Sequence, residues 1–498
     1  MVTADDLLTT LRQAFESHFE WLAVYPEGRT FPLRLDEIEI AVENEKLLVG
    51  MPGDRGFRRW RIRNTVFEDN EILLDLSGQF GSEHSVRLIP RTPAAELARN
   101  IELARLVLAN EIAALVQICF PGTKIVRVAL NEQNGRMAQI LIEGRTKTQS
   151  AILSDVTKNL TPENLLSSAY LWLDRLNARR KRPVEDLWIV GEKKQIRPLR
   201  KLHSLLNENA KSRVVLVEKY EESGEPGLRY LEAQRIASLW REKPKKLVLP
   251  TEIELSETAE KIVAMAPDDI DVIRSKQGET LRFRGLPFAR VRAILGQERS
   301  WFGVSNKRRP LTGDNLDDLK KLIDEMAYFR RPDSPNPRHE YYRSSPESWL
   351  ESILRRNIKL LDANLILSPI YNQFRAASDK IDLLALRKDG RLVIIELKTS
   401  PDRDMVFQAA DYWRKIELQR RRGELAKAGL FGDLEILDKP ALVYAVAPAL
   451  SFHRDFEYFA GMLSPEIDLW RFELHQDWRK EVKVIARVDK PSQLLNRR

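Results

Sequence analysis

The sequence has little cysteine and histidine. Cys119 is the only cysteine among 498 residues, and the six histidines are scattered without the spacing of metal ligands. An intramolecular disulfide is therefore excluded, and we expect a reducing compartment and no zinc site. No apolar run approaches the length of about 18 residues that suggests a membrane span, so we expect no membrane partner. The N-terminal Met-Val-Thr-Ala-Asp-Asp has no signal-peptide pattern, and we expect a cytoplasmic protein.

The composition is that of an ordinary globular protein with a mild excess of positive charge. Hydrophobic residues make up 43% of the chain and charged residues 31%. Lysine and arginine outnumber aspartate and glutamate by 81 to 73, which gives a formal net charge of +8. This excess favours a polyanionic partner such as nucleic acid, although a basic protein without such a partner is equally compatible with it.

The length predicts a multidomain protein. The pattern of helices and strands along it predicts a mixture of α/β and α+β domains. Residues 1–220 are expected to form an α/β domain of unassigned role, with DNA binding as one option. The segment Glu221–Gly227 is interpreted as a linker. An α+β middle region is expected over 228–330, with a helix near Tyr230–Glu242. Residues 331–346 contain four prolines and are interpreted as a second linker before a last domain at 347–498. No internal repeat is evident.

The last domain has the clearest pattern of helices and strands. The periodicity predicts an αβββαβ core around a mixed central sheet, with further elements after it. The predicted helices are Ser345–Leu361, Met405–Arg422 and Phe452–Met462. The predicted strands are Leu365–Tyr371, Ile381–Arg387, Leu392–Lys398, Ala441–Val446, Leu469–Glu473 and Val482–Val488.

Three charged residues interrupt two apolar strands of this domain. Asp382, Glu396 and Lys398 stand where a core strand would carry apolar side chains. Buried charges are unfavourable unless they are paired, and a divalent cation is the simplest partner for two carboxylates. The hairpin is therefore the strongest candidate for an active site, and it indicates metal-assisted cleavage of phosphodiester bonds.

The two carboxylates can share a cation only if they lie on one face of the sheet. A three-residue loop at Lys388–Gly390 places Asp382 opposite Glu396, whereas a two-residue loop would place it opposite Leu397. Three-residue hairpin loops favour a glycine at their third position, where Gly390 stands. The sequence thus predicts the longer loop, with Lys398 directed to the same site.

This pattern resembles the PD-(D/E)XK nuclease superfamily, and within it the RecB-type nucleases and the archaeal mismatch-cleaving NucS-like endonucleases. The resemblance covers about the last third of the chain. It comprises Glu351 on a helix, Asp382 on a strand, Glu396-Leu397-Lys398 on the next strand, and Gln408 with Tyr412 on the following helix. The proline that gives the superfamily its name is absent, since Ile381 precedes Asp382. The resemblance implies a restriction-endonuclease-like core.

The resemblance also implies roles for these residues. Asp382, Glu396 and, in an outer position, Glu351 would bind Mg²⁺ or Mn²⁺, with the Leu397 carbonyl as a further ligand. Such an ion activates water and polarises the scissile phosphate. Lys398 would position the water or stabilise developing charge. Gln408 and Tyr412 would contact the DNA backbone or ordered water, or else form only a polar pair at the end of the sheet.

A second glutamate lies one turn before Glu351 on the predicted helix. The sequence Ser344-Ser345-Pro346-Glu347 fits a capping box in which Ser344 is the N-cap and Glu347 reaches back to its amide. We therefore assign Glu347 to helix capping and select Glu351 as the metal ligand.

Clusters of basic residues are candidate nucleic-acid contacts, because phosphate contacts by lysine and arginine supply most sequence-independent affinity. Taken alone, each cluster is more typical of a solvated basic surface or strand edge, and the last one also complements a helix dipole. The clusters are Arg55–Arg63, Arg179–Arg182, Arg282 with Arg284, Arg290 and Arg292, Lys307–Arg309, and Arg420–Arg422.

The sequence therefore predicts a Mg²⁺-dependent deoxyribonuclease whose C-terminal domain cuts structured or single-stranded DNA. RNA is an alternative substrate, a homodimer is an option, and both endonucleolytic and exonucleolytic cleavage stay open. Two other functions stay open as well. One is a nucleic-acid-binding protein with a vestigial nuclease fold, and the other is a scaffold for protein partners.

Overall fold

The computed structural model describes most of the chain. The described residues are 4–18, 20–24, 30–43, 46–53, 56–68, 71–77, 83–91, 94–129, 135–178, 182–243, 254–275, 278–294, 297–304, 308–368 and 382–489. Within these ranges, no helix has the length and apolar character needed to cross a membrane.

The chain forms two compact units, Met1–Leu103 and Ala104–Arg498. The first unit contains an antiparallel seven-stranded sheet and one helix. Its elements are α1 (Ala4–Glu16), β1 (Glu20–Val24), β2 (Thr30–Arg34), β3 (Glu39–Glu43), β4 (Lys46–Gly53), β5 (Gly56–Glu68), β6 (Glu71–Ser77) and β7 (Glu83–Pro90). The strand order is β2-β1-β7-β6-β5-β4-β3. Leu11 and Phe15 of α1 pack with Trp21 in the core of this sheet.

The second unit begins within helix α2 and first forms a mixed six-stranded sheet, which we call the first α/β subdomain. Its elements are α2 (Ala94–Cys119), β8 (Lys124–Ala129), β9 (Met137–Glu143), β10 (Gln149–Asp155), α3 (Pro162–Ala178), β11 (Val184–Glu192), α4 (Lys193–His203), α5 (Glu208–Arg213), β12 (Val214–Glu222) and β13 (Glu225–Leu231). The strand order is β13-β12-β11-β10-β9-β8. Strands β10, β11 and β12 are parallel, and the other neighbours are antiparallel.

The middle of the chain forms an antiparallel five-stranded sheet with helices on its apolar face. Its elements are α7 (Glu257–Val263), β14 (Ile270–Ser275), β15 (Gly278–Phe283), β16 (Leu286–Ile294), β17 (Gln297–Phe302), β18 (Arg309–Pro310), α8 (Leu316–Phe329) and α9 (Glu340–Arg343). The short helix α6 (Ile236–Leu239) precedes them and packs in the core of the first α/β subdomain through Leu239. The strands of the five-stranded sheet follow one another in chain order. Phe283 and Phe288 lie in the core of this sheet with Leu319 of α8.

The last part of the chain forms a second mixed six-stranded sheet, which we call the second α/β subdomain. Its elements are α10 (Pro346–Arg356), β19 (Leu365–Leu367), β20 (Leu383–Arg387), β21 (Leu392–Leu397), α11 (Met405–Arg421), α12 (Glu424–Lys427), β22 (Leu442–Pro448), α13 (Phe456–Ala460), β23 (Asp468–Leu474) and β24 (Val484–Asp489). The strand order is β19-β20-β21-β22-β23-β24, with β21, β22 and β23 parallel. The predicted αβββαβ order and mixed sheet are confirmed.

The two α/β subdomains have the same topology, which the sequence did not predict. In each subdomain, a helix is followed by three neighbouring antiparallel strands, and a second helix then leads to a strand parallel to the third. Helical segments lead from there to another parallel strand, and an antiparallel strand completes the sheet. The expectation of no internal repeat is therefore wrong at the level of structure. Apolar side chains on the α3 and α4 side of the first sheet and on the α11 side of the second share one core.

Two interpretations of the region after residue 220 are wrong. Glu221–Gly227 is not a linker, because Glu222 pairs with Glu225 at the tip of the β12–β13 hairpin. The backbone groups of this polar segment form hydrogen bonds between β12 and β13, so the segment lies within one sheet and does not separate two domains. The helix expected near Tyr230–Glu242 is reduced to the four residues of α6, since Tyr230 belongs to β13. The predicted boundaries near 330 and 346 stay predictions.

Candidate active site

The β20–β21 hairpin has the register that the sequence predicts. Leu383 pairs with Ile395 and Leu386 with Leu392, and the amide of Gly390 donates to the Arg387 carbonyl. Gly390 has a φ of 82°, the left-handed conformation that this loop position requires. One step beyond the Leu383–Ile395 pair, Asp382 lies in register with Glu396, so both side chains belong to the same face.

Glu396 is a buried carboxylate at the end of β21. Only 2% of its surface is exposed. Its Oε1 lies 3.2 Å from Lys398 Nζ, while its buried Oε2 has no hydrogen-bond partner among the described residues. Burial, and then the nearby carboxylate of Asp382, raise the pKa of Glu396 well above its ordinary value. A second cation beside this group would satisfy the oxygen and relieve the repulsion.

Lys398 links the strand to the segment that follows it. Its Nζ lies 3.2 Å from a carboxylate oxygen of Asp402 as well as from Glu396. Burial acts to lower the pKa of Lys398, but the charges of Glu396, Glu347 and Asp402 outweigh it and raise the pKa. The ammonium is therefore fixed in its charged form beside the carboxylate pair.

Asp382 and Tyr412 both lie close to Glu396. Asp382 accepts a 2.9 Å hydrogen bond from the Leu397 amide, so its carboxylate reaches the end of β21. Burial, followed by the charges of Glu396 and Asp382, raises the pKa of Tyr412. Gln408 lies one turn before Tyr412 on α11 and is half-buried. The structure thus brings the hairpin residues and Tyr412 together, and it places Gln408 on the adjoining helix.

Glu351 lies in a different environment. Its carboxylate is buried and pairs with Arg282 at 3.1 Å, in the five-stranded sheet, and with Arg355 at 3.6 Å. Its contribution to a metal site stays a prediction. Glu347, one turn earlier on α10, is the helical carboxylate whose charge acts on both Glu396 and Lys398.

The predicted capping box is wrong. The N-cap of α10 is Ser345, which adopts a left-handed conformation with a φ of 47° and forms no side-chain cap. Ser344 instead ends the short helix α9, where its amide donates to the Glu340 carbonyl. A buried arginine explains this arrangement, since Arg330 donates to the carbonyls of both Ser344 and Ser345 and fixes the backbone that precedes α10. Glu347 is therefore not assigned to capping.

Comparison with known proteins gives little. No family model and no curated protein matches the sequence. Among solved structures, EndoMS in its apo form aligns with 10% identity and a TM-score of 0.18, over 44% of this chain and 98% of the other. The EndoMS–dsDNA2 complex aligns with 13% identity and a TM-score of 0.16, over 38% of this chain and 86% of the other. Scores this low do not establish a shared fold or function.

Sequence reasoning did not assign three acidic side chains to this site. Asp402 pairs with Lys398 in the non-helical segment between β21 and α11. Glu347 was assigned to a different role. Glu163, from α3 of the first subdomain, contributes to the raised pKa of Tyr412 after the effects of burial, Glu396 and Asp382. No local pattern could have indicated Glu163, because it is brought to the site by the packing of the two subdomains.

The residues present suit a hard divalent cation with an incomplete protein shell. In the described part of the chain, no group of three or more histidine, cysteine, aspartate and glutamate side chains is arranged to hold a metal ion. Two carboxylates, Asp382 and Glu396, are nevertheless the number that Mg²⁺ commonly takes from a protein when water and substrate phosphate complete its shell. The buried oxygen of Glu396 is consistent with such a ligand set.

Several predicted basic clusters take part in structural contacts. Arg420 pairs with Glu417 and Asp438, Arg421 stacks on Trp240, and Arg422 donates to the Trp240 carbonyl. All three arginines of this candidate nucleic-acid contact at the end of α11 therefore have partners within the protein. Residues 55, 179–181 and 307 lie outside the described residues.

A different cluster keeps its positive charge on the five-stranded sheet. Burial, and then the charges of Arg308 and Arg292, lower the pKa of Arg290. In the ladder, Arg290 pairs with Trp301 and Arg292 with Arg299, so these four residues occupy neighbouring positions on one face. By contrast, Arg282 and Arg284 form ion pairs with Asp271 and Asp269.

Proposed function

We propose that the chain hydrolyses phosphodiester bonds in DNA, using a restriction-endonuclease-like core in the second α/β subdomain and Mg²⁺ or Mn²⁺ held by Asp382 and Glu396. The observation that carries this proposal is the buried Glu396, paired with Lys398 at 3.2 Å and close to the carboxylate of Asp382, which directly precedes the Leu383–Ile395 pair. A buried carboxylate beside a second, half-buried one is unfavourable in a purely structural role, whereas a divalent cation would stabilise them together.

Each residue has a distinct task in this proposal. Asp382 and Glu396 would hold the ion, with the Leu397 carbonyl as a further ligand, and Asp382 already accepts a hydrogen bond from the Leu397 amide. A bound ion would polarise the scissile phosphate and lower the pKa of a coordinated water. Lys398, kept charged by its neighbours, would orient the attacking water or stabilise charge on the phosphate. Tyr412 and Gln408 would border the bound backbone.

DNA is favoured as the partner by the distribution of positive charge. The net charge is +8, and Arg290, Arg292 and Arg299 repeat the same charge on one face of the five-stranded sheet beside the half-buried Trp301, with Arg308 close enough to act on Arg290. Arginine beside an aromatic ring is a common arrangement for binding phosphates and stacking bases. Because the hydrolytic chemistry does not depend on the sugar, RNA is a competing substrate that the experiment must include.

The test is cleavage of end-labelled single-stranded, duplex, flapped and mismatched DNA, and of matched RNA, with Mg²⁺, Mn²⁺ or a chelator. We expect metal-dependent cleavage of DNA by the purified chain and a loss of about 10³-fold or more in Asp382→Ala. Equal cleavage by the two proteins would refute the site. Binding of DNA without cleavage under any metal condition would instead support a vestigial nuclease fold.

A further inference from the structure

The strand ladders of the two α/β subdomains can be compared from the open ends of the β9–β10 and β20–β21 hairpins, because strand order and direction are the same. In the second subdomain, Asp382 and Glu396 are the residues next to the last ladder pair, Leu383 and Ile395. In the first subdomain, the β9–β10 ladder ends at the pair Met137 and Asp155. Leu153 lies two residues before Asp155, and Ile394 lies two residues before Glu396, so each apolar residue shares a sheet face with the acid that follows it. Leu153 and Ile394 both belong to the core shared by the two subdomains. Counted from the open end on this face, Met137 takes the position of Asp382, and Asp155 that of Glu396.

The correspondence extends to the helix after each hairpin. Helices α3 and α11 are both 17 residues long, and their ninth residues, Tyr170 and Trp413, are both fully buried. Gln408 is the fourth residue of α11 and Tyr412 the eighth. The same positions of α3 carry Leu165 and Ala169, which are apolar and buried.

The one acid that the first subdomain retains is used structurally. Asp155 Oδ1 accepts from the amide and the hydroxyl of Thr157, and Oδ2 accepts from the amide of Leu160. Thr157 stands two residues after Asp155, where Lys398 stands after Glu396. At the positions compared, the first subdomain thus has one carboxylate, already hydrogen-bonded to the backbone, beside a methionine. It has no counterpart there of Lys398, Gln408 or Tyr412.

The two subdomains pack on each other through equivalent elements. The segment after α4 and the segment after α13 form an antiparallel bridge between Leu206 and Leu463. The Ser464 amide donates to the Leu205 carbonyl at 2.7 Å, and the Asn207 amide donates to Met462 at 2.8 Å.

Contacts between α3 and the start of α11 extend this interface. Asn164 and Ser167 both donate to the carboxylate of Asp404, which precedes α11. The side of the second subdomain that carries α11 and α13 is therefore covered by a copy of the same fold from the same chain.

We infer that the chain is an intramolecular pseudo-dimer with one catalytic centre, and that it cuts one phosphodiester bond per binding event. On duplex DNA it is accordingly a nicking enzyme rather than a double-strand cutter. This inference rests on the proposed nuclease function and adds to it the number of phosphodiester bonds cut in each binding event. The first subdomain takes the place of a second catalytic subunit and supplies Glu163 to the neighbourhood of Tyr412.

The experiment compares two isosteric substitutions at corresponding positions, Glu396→Gln and Asp155→Asn. The Asp155→Asn substitution keeps one side-chain oxygen and the size of the side chain, at a residue outside the proposed site. Each variant and the unaltered chain are tested on whichever labelled substrate the unaltered chain cuts best, and duplex forms carry a label on each strand. A second readout, which does not require turnover, is the binding of Mn²⁺ in the absence of nucleic acid, measured by electron paramagnetic resonance.

We expect Glu396→Gln to remove all cleavage and the tight Mn²⁺ signal, and Asp155→Asn to retain both within about twofold. Duplex molecules should carry a cut in one strand when protein is limiting. The inference is overturned if each substitution removes about half of the cleavage or of the bound Mn²⁺, or if both strands are cut in one encounter.

Failure of the nuclease proposal has a separate signature. In that case the unaltered chain shows no metal-dependent cleavage, and neither substitution changes the binding of Mn²⁺. A defect in folding is detected by thermal unfolding of each variant. If Asp155→Asn unfolds early, Thr157→Val, which removes the hydroxyl bond to Asp155 alone, replaces it in the comparison.

Discussion

The first and second α/β subdomains share a topology but differ at the end of one hairpin. Both bury alternating apolar residues on the face that carries their connecting helices, such as Leu153 in one and Ile394 in the other. At the next position on that face, Asp155 accepts backbone hydrogen bonds, whereas Glu396 keeps a buried oxygen without a partner among the described residues. The fold thus depends on the apolar pattern, whereas the proposed chemistry depends on a few polar side chains at one edge.

The largest expected effect concerns the core between the subdomains. Trp413 is fully buried and donates to the Ala441 carbonyl at 3.0 Å, and its counterpart Tyr170 donates to the Ala210 carbonyl at 2.8 Å. Trp413→Ala should lower the free energy of unfolding by about 3–5 kcal/mol, because it leaves a cavity and an unpaired carbonyl. Tyr170→Phe, which removes one hydroxyl, should cost about 1 kcal/mol. Denaturant unfolding measures both, and equal losses would contradict the comparison.

A second prediction separates catalysis from structure at Lys398 and its counterpart Thr157. Lys398→Met should lower the single-turnover cleavage rate by about 10²- to 10³-fold, since it removes a preorganised charge. Thr157→Val should leave cleavage unchanged and lower stability by about 1 kcal/mol, because it removes one hydrogen bond to Asp155. A similar loss of cleavage in both variants would indicate that the two hairpins act together.

A third prediction places a source of acid sensitivity in the first subdomain. His203, at the end of α4, is 2% exposed, and burial lowers its pKa to about 4. The unfolded chain therefore takes up the proton first as the pH falls, and stability is lost between the unfolded pKa of about 6.5 and the folded value. From pH 7 to pH 5 the loss due to this group should be about 2 kcal/mol.

His203→Gln provides the check, since its free energy of unfolding should change less over that interval than that of the unaltered chain. Identical slopes for the two proteins would assign the acid sensitivity to other groups.

The smallest expected effect distinguishes the two glutamates of α10. Glu347→Gln should reduce cleavage by about tenfold, because its charge acts on Glu396 and Lys398. Glu351→Gln should instead lower the free energy of unfolding by about 1–3 kcal/mol, because it weakens the buried contacts with Arg282 and Arg355, with cleavage per folded molecule unchanged. The reverse result would restore Glu351 as the metal ligand.

The sequence predicted the local features of this protein better than its long-range ones. The Gly390 turn and the Asp382–Glu396 register follow from strand alternation and one glycine, and both are present. The orientation of Glu351 could not be predicted, because it depends on Arg282, which is 69 residues away in the chain. The repeated fold was hidden for a related reason. Topology tolerates replacement of Gln408 and Tyr412 by Leu165 and Ala169, so the two subdomains no longer look alike as sequences.

The Leu206–Leu463 bridge has an evolutionary and a practical consequence. In an assembly of identical subunits every mutation appears twice, and a substitution that disables one copy disables the other. Here the two partners are encoded separately in one polypeptide, so each can change alone. Their association is also unimolecular, which makes it independent of protein concentration and resistant to dilution.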